Sequence, residues 1–154
     1  MLQRDYFLKY LETFSKAIGE VLSRRKDNRM DEALRLINAT FETDKEVEEL
    51  TRLPLDEFLE KVDYMEDFDA PKWVLAADLL FEKAQILAET GHPEEGQIYY
   101  VKTLHLVLEA LLSDPETYRP QEIARVKEVL QCLDPHPLPD STRKLLADYR
   151  TTEN

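Results

Sequence analysis

The chain reads as an all-α protein of about seven to eight helices in one compact domain, on three observations. Apolar residues recur at spacings of three and four along most of its 154 residues, the period of a helix with one buried face. Only three glycines occur, neither Asn-Gly nor Asp-Gly is present, and no long alternating run of Val, Ile and Thr suggests a strand. Two stretches, Val21 to Ile37 and Ala84 to Thr103, share one pattern: a helix, a short polar turn, and a second helix opening near a small residue. Such connections make antiparallel helical hairpins.

The first helix is predicted from Gln3 to Lys26. Phe7, Leu11, Phe14, Ile18 and Leu22 form its stripe, widened by Tyr10 and Val21. Cations at its end face the negative pole of the helix dipole. Asp27-Asn28 makes the turn, and Met30, Ala33, Leu34, Ile37 and Phe41 mark the second helix. Thr43 and Glu46 have the spacing of a capping box, predicting a short acidic helix to Arg52. Pro54, as a first helical residue, opens the next, with Leu55, Phe58, Leu59 and Val62 inward. Residues 63–69 then form an acidic loop, anchored by Met65 and Phe68.

Residues 71–113 are the predicted centre. From Trp73 to Ala88 and from Ile98 to Leu112 apolar side chains fall on most sides, as in helices packed all round. Gly91-His92-Pro93 joins them, with glycine stopping one helix and proline starting the next. Pro120 begins a helix carrying Ile123, Val126, Val129, Leu130 and Leu133. The proline-rich run 134–139 is expected to be extended. Asp140 or Ser141 caps a last helix with Leu145, Leu146 and Tyr149, fraying from Thr151. The single domain thus divides into a hairpin 3–41, an acidic insert 42–69, a central hairpin 71–113 and C-terminal helices 120–150.

Within the central hairpin, Leu80, Ala84, Leu87, Gly91, Gly96 and Tyr100 stand at the offsets of a tetratricopeptide repeat, which residues 80–103 resemble. Thr103 replaces the usual second-helix alanine and Lys83 a leucine. Val21, Met30, Ala33 and Ile37 make a fainter copy, with Asn28 for the glycine and Arg24 for the aromatic. Ala33 and Gly96 are 63 residues apart, not one repeat length, so the copies do not form a regular tandem stack. The opening residues 1–9 are also similar to a group of small uncharacterised bacterial proteins with tetratricopeptide-like helices. That resemblance implies a bacterial cytoplasmic origin and a helical scaffold, and no catalytic residue.

Charge narrows the function. The net charge is −12. Residues 41–69 carry 12 acidic and 3 basic side chains, whereas residues 1–40 carry 6 and 8. Nucleic-acid binding is not expected, because the one basic cluster (Arg24, Arg25, Lys26, Arg29) is interleaved with acids and reads as a solvated helix end. No stretch is apolar enough to span a bilayer. Arg4, Asp5, Lys9 and Glu12 break any secretory apolar run. Cys132 is the only cysteine, excluding an intrachain disulfide and fitting a reducing cytoplasm.

Chemistry is sparse. No nucleophile elbow, phosphate loop or dinucleotide fingerprint occurs, so no catalytic residue and no cofactor are expected. His92 stands beside a turn proline, and His136 lies between prolines. His105 lies mid-helix with Val101 and Glu109 at four residues either side, without a zinc motif. Asp63, Asp67 and Asp69 offer oxygens to a hard cation but lack the spacing and glycine of a calcium loop, so a solvated acidic loop is expected. Cys132, between leucines, reads as a structural thiol.

The expected role is therefore a non-catalytic interaction or scaffold module for a protein or peptide. Exposed members of Tyr6, Tyr10, Trp73, Tyr99 and Tyr100 would be its anchors. The acidic segment, with Asp63, Asp67 and Asp69, favours a partner with a basic contact face. Two alternatives remain: a homodimer through Leu2, Tyr6 and Leu8 of the first helix, and a small-ligand pocket between the central helices near His105.

Overall fold

A computed structural model describes residues 2–117, 120–133 and 137–153. Among them the chain forms eight α-helices and no strand: α1 (Leu2–Lys26), α2 (Met30–Phe41), α3 (Lys45–Arg52), α4 (Leu55–Asp63), α5 (Ala70–Glu89), α6 (Pro93–Ser113), α7 (Pro120–Cys132) and α8 (Asp140–Glu153), with one 3₁₀ turn at Pro115–Thr117. His136, and Asp134 and Pro135 of the expected connector, lie outside the described residues, as does the side chain of Leu2. Residues 137–139 are non-helical.

Helix ends follow from local backbone chemistry. After α1, Asn28 takes φ 61°, the left-handed conformation that asparagine tolerates better than most residues. Arg29 N then donates to Arg24 O at 2.7 Å and Asn28 N to Arg25 O at 3.0 Å, closing a Schellman motif. Gly91, at φ 88°, does the same for α5, with His92 N donating to Leu87 O at 2.8 Å. Three residues (Thr90, Gly91, His92) thus suffice to turn the chain from α5 into α6.

The α5–α6 pair is the centre. Gly96 sits so close to α5 that a Cβ there would meet Ala84 O at 3.1 Å and Ala88 N at 3.3 Å. Further along, Phe81 meets Tyr100 edge-on at 6.0 Å. Ala84 pairs with Gly96 while the earlier Phe81 pairs with the later Tyr100, so the helices run antiparallel. α1 packs on α2 and α5, whereas α6 is covered by α4, α7 and α8. The core runs through all of them, from Phe14 and Ile37 through Trp73 and Leu80 to Leu104, Val129 and Leu146.

Several details differ from the sequence expectation. In α1 the buried line is Tyr10, Phe14, Ala17 and Val21, while Leu11 and Leu22 are exposed. The apolar arc is wider than the face that α2 and α5 cover, so its outer edge stays in water. The predicted Thr43–Glu46 capping box is replaced by Asp44, which accepts from Val47 N at 3.0 Å; Thr43 donates to Thr40 O instead. Pro54 is the residue before α4 rather than its first. Pro139 O accepts from Arg143 N at 2.9 Å, so Asp140 and Ser141 lie inside α8. That helix continues through Thr151 to Glu153 where fraying is expected. The basic cluster is not wholly solvated either: Arg25 folds back onto Glu82 and reaches Glu89 at 3.1 Å.

Candidate binding groove

Of the expected anchors, the structure leaves Tyr6 exposed and Tyr99 half-buried. Tyr10, Trp73 and Tyr100 are core residues, a correction with a clear physical reason. Each sits on a helix covered on that side: Tyr10 stacks on Phe14 with centroids 4.0 Å apart and donates to Lys72 O at 2.7 Å. Tyr100 accepts from Gln85 Nε2 at 3.0 Å. Burial pushes the Tyr10 and Tyr100 hydroxyls well above the ordinary phenol range. Tyr6 donates to Asp44 and is raised to about 12, by desolvation first and by that carboxylate second.

The acidic loop is only partly a free surface. Asp67 and Asp69 are exposed, and Asp69 caps α5 by accepting from Lys72 N at 3.3 Å. Asp63, at the end of α4, is engaged elsewhere. Its Oδ1 lies 2.8 Å from His105 Nε2, and its Oδ2 accepts from Ser141. His105 Nδ1 lies 3.0 Å from Thr142 Oγ1. A carboxylate only accepts, so Nε2 carries the imidazole proton and Nδ1 accepts from the threonine. Burial holds His105 below the ordinary imidazole range; Asp63 offsets only part of that. Carboxylate, imidazole and hydroxyl stand in the order of a hydrolase triad, yet His105 and Thr142 are both fully buried. No substrate can reach that hydroxyl, and the chain serves to tie α4, α6 and α8 together.

A second polar feature is a cation inside the core. Lys102 is buried, and its Nζ donates to Thr51 O at 3.1 Å and Leu53 O at 2.7 Å. It also lies 4.9 Å from the Tyr99 ring centroid and 5.3 Å from that of Phe58. Desolvation, with a smaller push from Lys83, lowers it to about 8. It supplies donors to the Thr51 carbonyl in the last turn of α3 and to the carbonyl of Leu53, the extended residue that follows the helix.

One open concavity lies where α1, α5, α6 and α7 meet; a larger one, of about 610 Å³, lies beside Leu55, Ile98, Leu138 and Arg143. The first, a cavity of about 330 Å³, is floored by Phe7, Leu11, Val74, Leu75 and Leu111 and bordered by Asp78, Asp114 and Glu122. It shares Val74, Asp78, Gln121 and Glu122 with a neighbouring cavity that adds Arg125 and Glu128. Glu122 is only 8% exposed, and its Oε2 has no hydrogen-bond partner. Asp78 has Arg125 at 3.5 Å, a guanidinium that stacks 3.9 Å above the Phe81 ring. Burial pushes Asp78 up to about 6, Arg125 pulls it down, and Glu122 and Glu82 add to the rise.

Sequence reasoning passed over Asp78, Glu122 and Arg125, although a signal existed. Glu122, Val126 and Val129 follow at four and three, so an acid occupies the buried line of α7. A carboxylate on an apolar stripe is the informative anomaly. Among the described residues no group of His, Cys, Asp and Glu is arranged to hold a metal ion.

A stability test follows from Asp78. Its folded value lies above the unfolded value of 3.8, so the native state holds the proton more tightly. Stability then falls as pH rises from about 4 to about 6. Asp78→Asn is expected to stabilise the protein by about 1 kcal/mol at pH 7.5, allowing for solvent screening, and by nothing at pH 4. Urea melts at the two pH values check this, and an equal effect at both would contradict it.

An all-helical protein with an acid-lined apolar groove is thus the class that fold and site define. Comparison with protein-family models, curated proteins and solved structures finds no match.

Proposed function

We propose that the chain is a non-catalytic, tetratricopeptide-like helical scaffold that docks a partner protein segment in the groove between α1, α5, α6 and α7. The supporting observation is the groove itself: an apolar floor that continues through Leu11 onto the exposed Leu8 of α1, bordered by carboxylates. An apolar patch beside a polar rim suits an amphipathic segment. The excess of acids favours one with Lys or Arg at its edges, and speeds encounter at low salt. The lone half-buried thiol suits a reducing compartment such as the cytoplasm.

Selection from a displayed library of random peptides tests this reading. Enriched peptides are expected to combine large apolar residues with Lys or Arg, and to weaken as salt rises. Leu11→Asp, at a position outside the core, should lower their affinity by about tenfold or more. Enrichment of acidic peptides, or binding indifferent to Leu11→Asp, would contradict it.

A second reading has its own support. Leu8, Leu11, Ser15, Ile18 and Leu22 repeat at three and four along the outer side of α1, and Leu8 and Leu22 are 51% and 48% exposed. That is a short heptad seam, able to pair with its copy about a two-fold axis. Light scattering separates the readings, since a monomer at the chain mass of 18.1 kDa excludes the dimer.

A further inference from the structure

We infer that the outer stripe of α1 is the surface on which two copies of the chain pair, their α1 helices antiparallel about a two-fold axis beside Ser15. The inference rests on the dimer reading above, whose seam it uses, and adds the direction of the pair and the contacts that set it.

Exposure supplies the first observation. Six large apolar side chains are exposed among the described residues, and Leu8, Leu11 and Leu22 are half of them, all on this one stripe. Its apolar surface stays in water until a second molecule covers it. The stripe runs for about four turns of a straight, preformed helix.

Charge selects the second copy and its direction. The core lies on one side of the stripe; on the other stand Asp5 and Glu12 toward the start of α1, and Lys16 and Lys26 toward its end, all exposed. None of the four makes an ion pair among the described residues. Turned end for end, this flank is its own complement: Asp5 comes beside the second copy's Lys26, and Glu12 beside its Lys16. Arg4 comes level with the second copy's Lys26 and Asp27, one of each sign. A parallel pair would set the flank against the core side of the other copy and leave all four charges unmatched.

The apolar contacts keep the same register. An axis beside Ser15 puts Leu8 level with the second copy's Leu22, and Leu11 level with its Gly19. Gly19 is exposed in mid-helix, where glycine is less stable than alanine, and a Cβ there would touch nothing in the chain. The folded chain alone gives no reason for that glycine. The approach of Leu11 from a second copy gives one.

Treatment of the full chain with a carbodiimide, which joins a carboxylate to an amine in contact with it, tests the direction. Asp5 and Lys26 are about 31 Å apart along one helix, so a link between them joins two molecules. Mass spectrometry of the dimer band is expected to find it, and a dimer without that link would overturn the antiparallel arrangement. In sedimentation equilibrium Lys26→Asp should weaken the dimer about threefold to tenfold, and adding Asp5→Lys should restore it. No weakening, or no rescue, would overturn the charge register.

The two readings fail separately. Leu22 does not line the groove, so Leu22→Asp should lower dimer affinity about tenfold or more and leave peptide selection unchanged, with far-UV circular dichroism confirming its fold. A dimer indifferent to that change would overturn the inference. A chain that stays at 18.1 kDa up to roughly 0.5 mM removes the dimer reading and this inference together. A dimer lacking the Asp5–Lys26 link removes the inference alone and leaves the dimer reading standing.

Discussion

Trp73→Ala is expected to destabilise the protein by about 3–5 kcal/mol, the cost of emptying a core site of that size. The indole is 1% exposed, and Lys72 Nζ lies 5.5 Å from its ring centroid. For a chain of this length the midpoint of thermal unfolding should fall by roughly 10 °C or more. Trp73→Phe keeps most of the volume and should lose about a third of that or less. Far-UV circular dichroism in urea measures both, since Trp73 is the only tryptophan and fluorescence is lost with it. A variant that unfolds like the parent would place the indole at the surface, as a partner anchor, and contradict the packing described above.

His105→Ala is the other large effect, expected at about 3 kcal/mol. The substitution leaves a cavity inside α6 and takes the acceptor from Thr142 and a donor from Asp63. Its pH dependence has a definite sign. The folded imidazole lies below its unfolded value of 6.5, so the unfolded chain binds the extra proton first. The stability that neutral His105 contributes is present above about pH 6.5 and declines as pH falls below it. The gap between parent and variant should therefore narrow from pH 7.5 to pH 5. Glu109, held above the ordinary carboxyl range by burial and by Asp63, titrates in both proteins and largely cancels in the difference. A gap that widens on acidification would mean the imidazole is charged in the fold.

How much of this was legible in the residues depends on distance along the chain. The α5–α6 pair was readable because its signals are local: Gly91 and Pro93 in the turn, and Gly96 placed for close approach to Ala84 and Ala88. The order of helices and the acidic loop followed from the same kind of information. The buried line of α1 was off by about one position, because periodicity defines an arc and only the neighbours decide which edge is covered. Buried polar groups were the least legible. Asp63 meets His105 across 42 residues and Lys102 reaches Thr51 across 51, so nothing near either residue announces its partner. The groove shares that character, since Leu11, Asp78, Leu111 and Glu122 come from four helices and converge only in the fold.

From Tyr100 to Leu108 every residue of α6 is buried, including Lys102, Thr103 and His105. Such a rod has no outward side on which substitutions can accumulate without effect. Its amides should be the slowest in the molecule to exchange with deuterium, opening only when the whole domain opens. Drift in sequence should therefore fall outside this stretch, and a distant copy of this protein would be traced most readily through those nine positions.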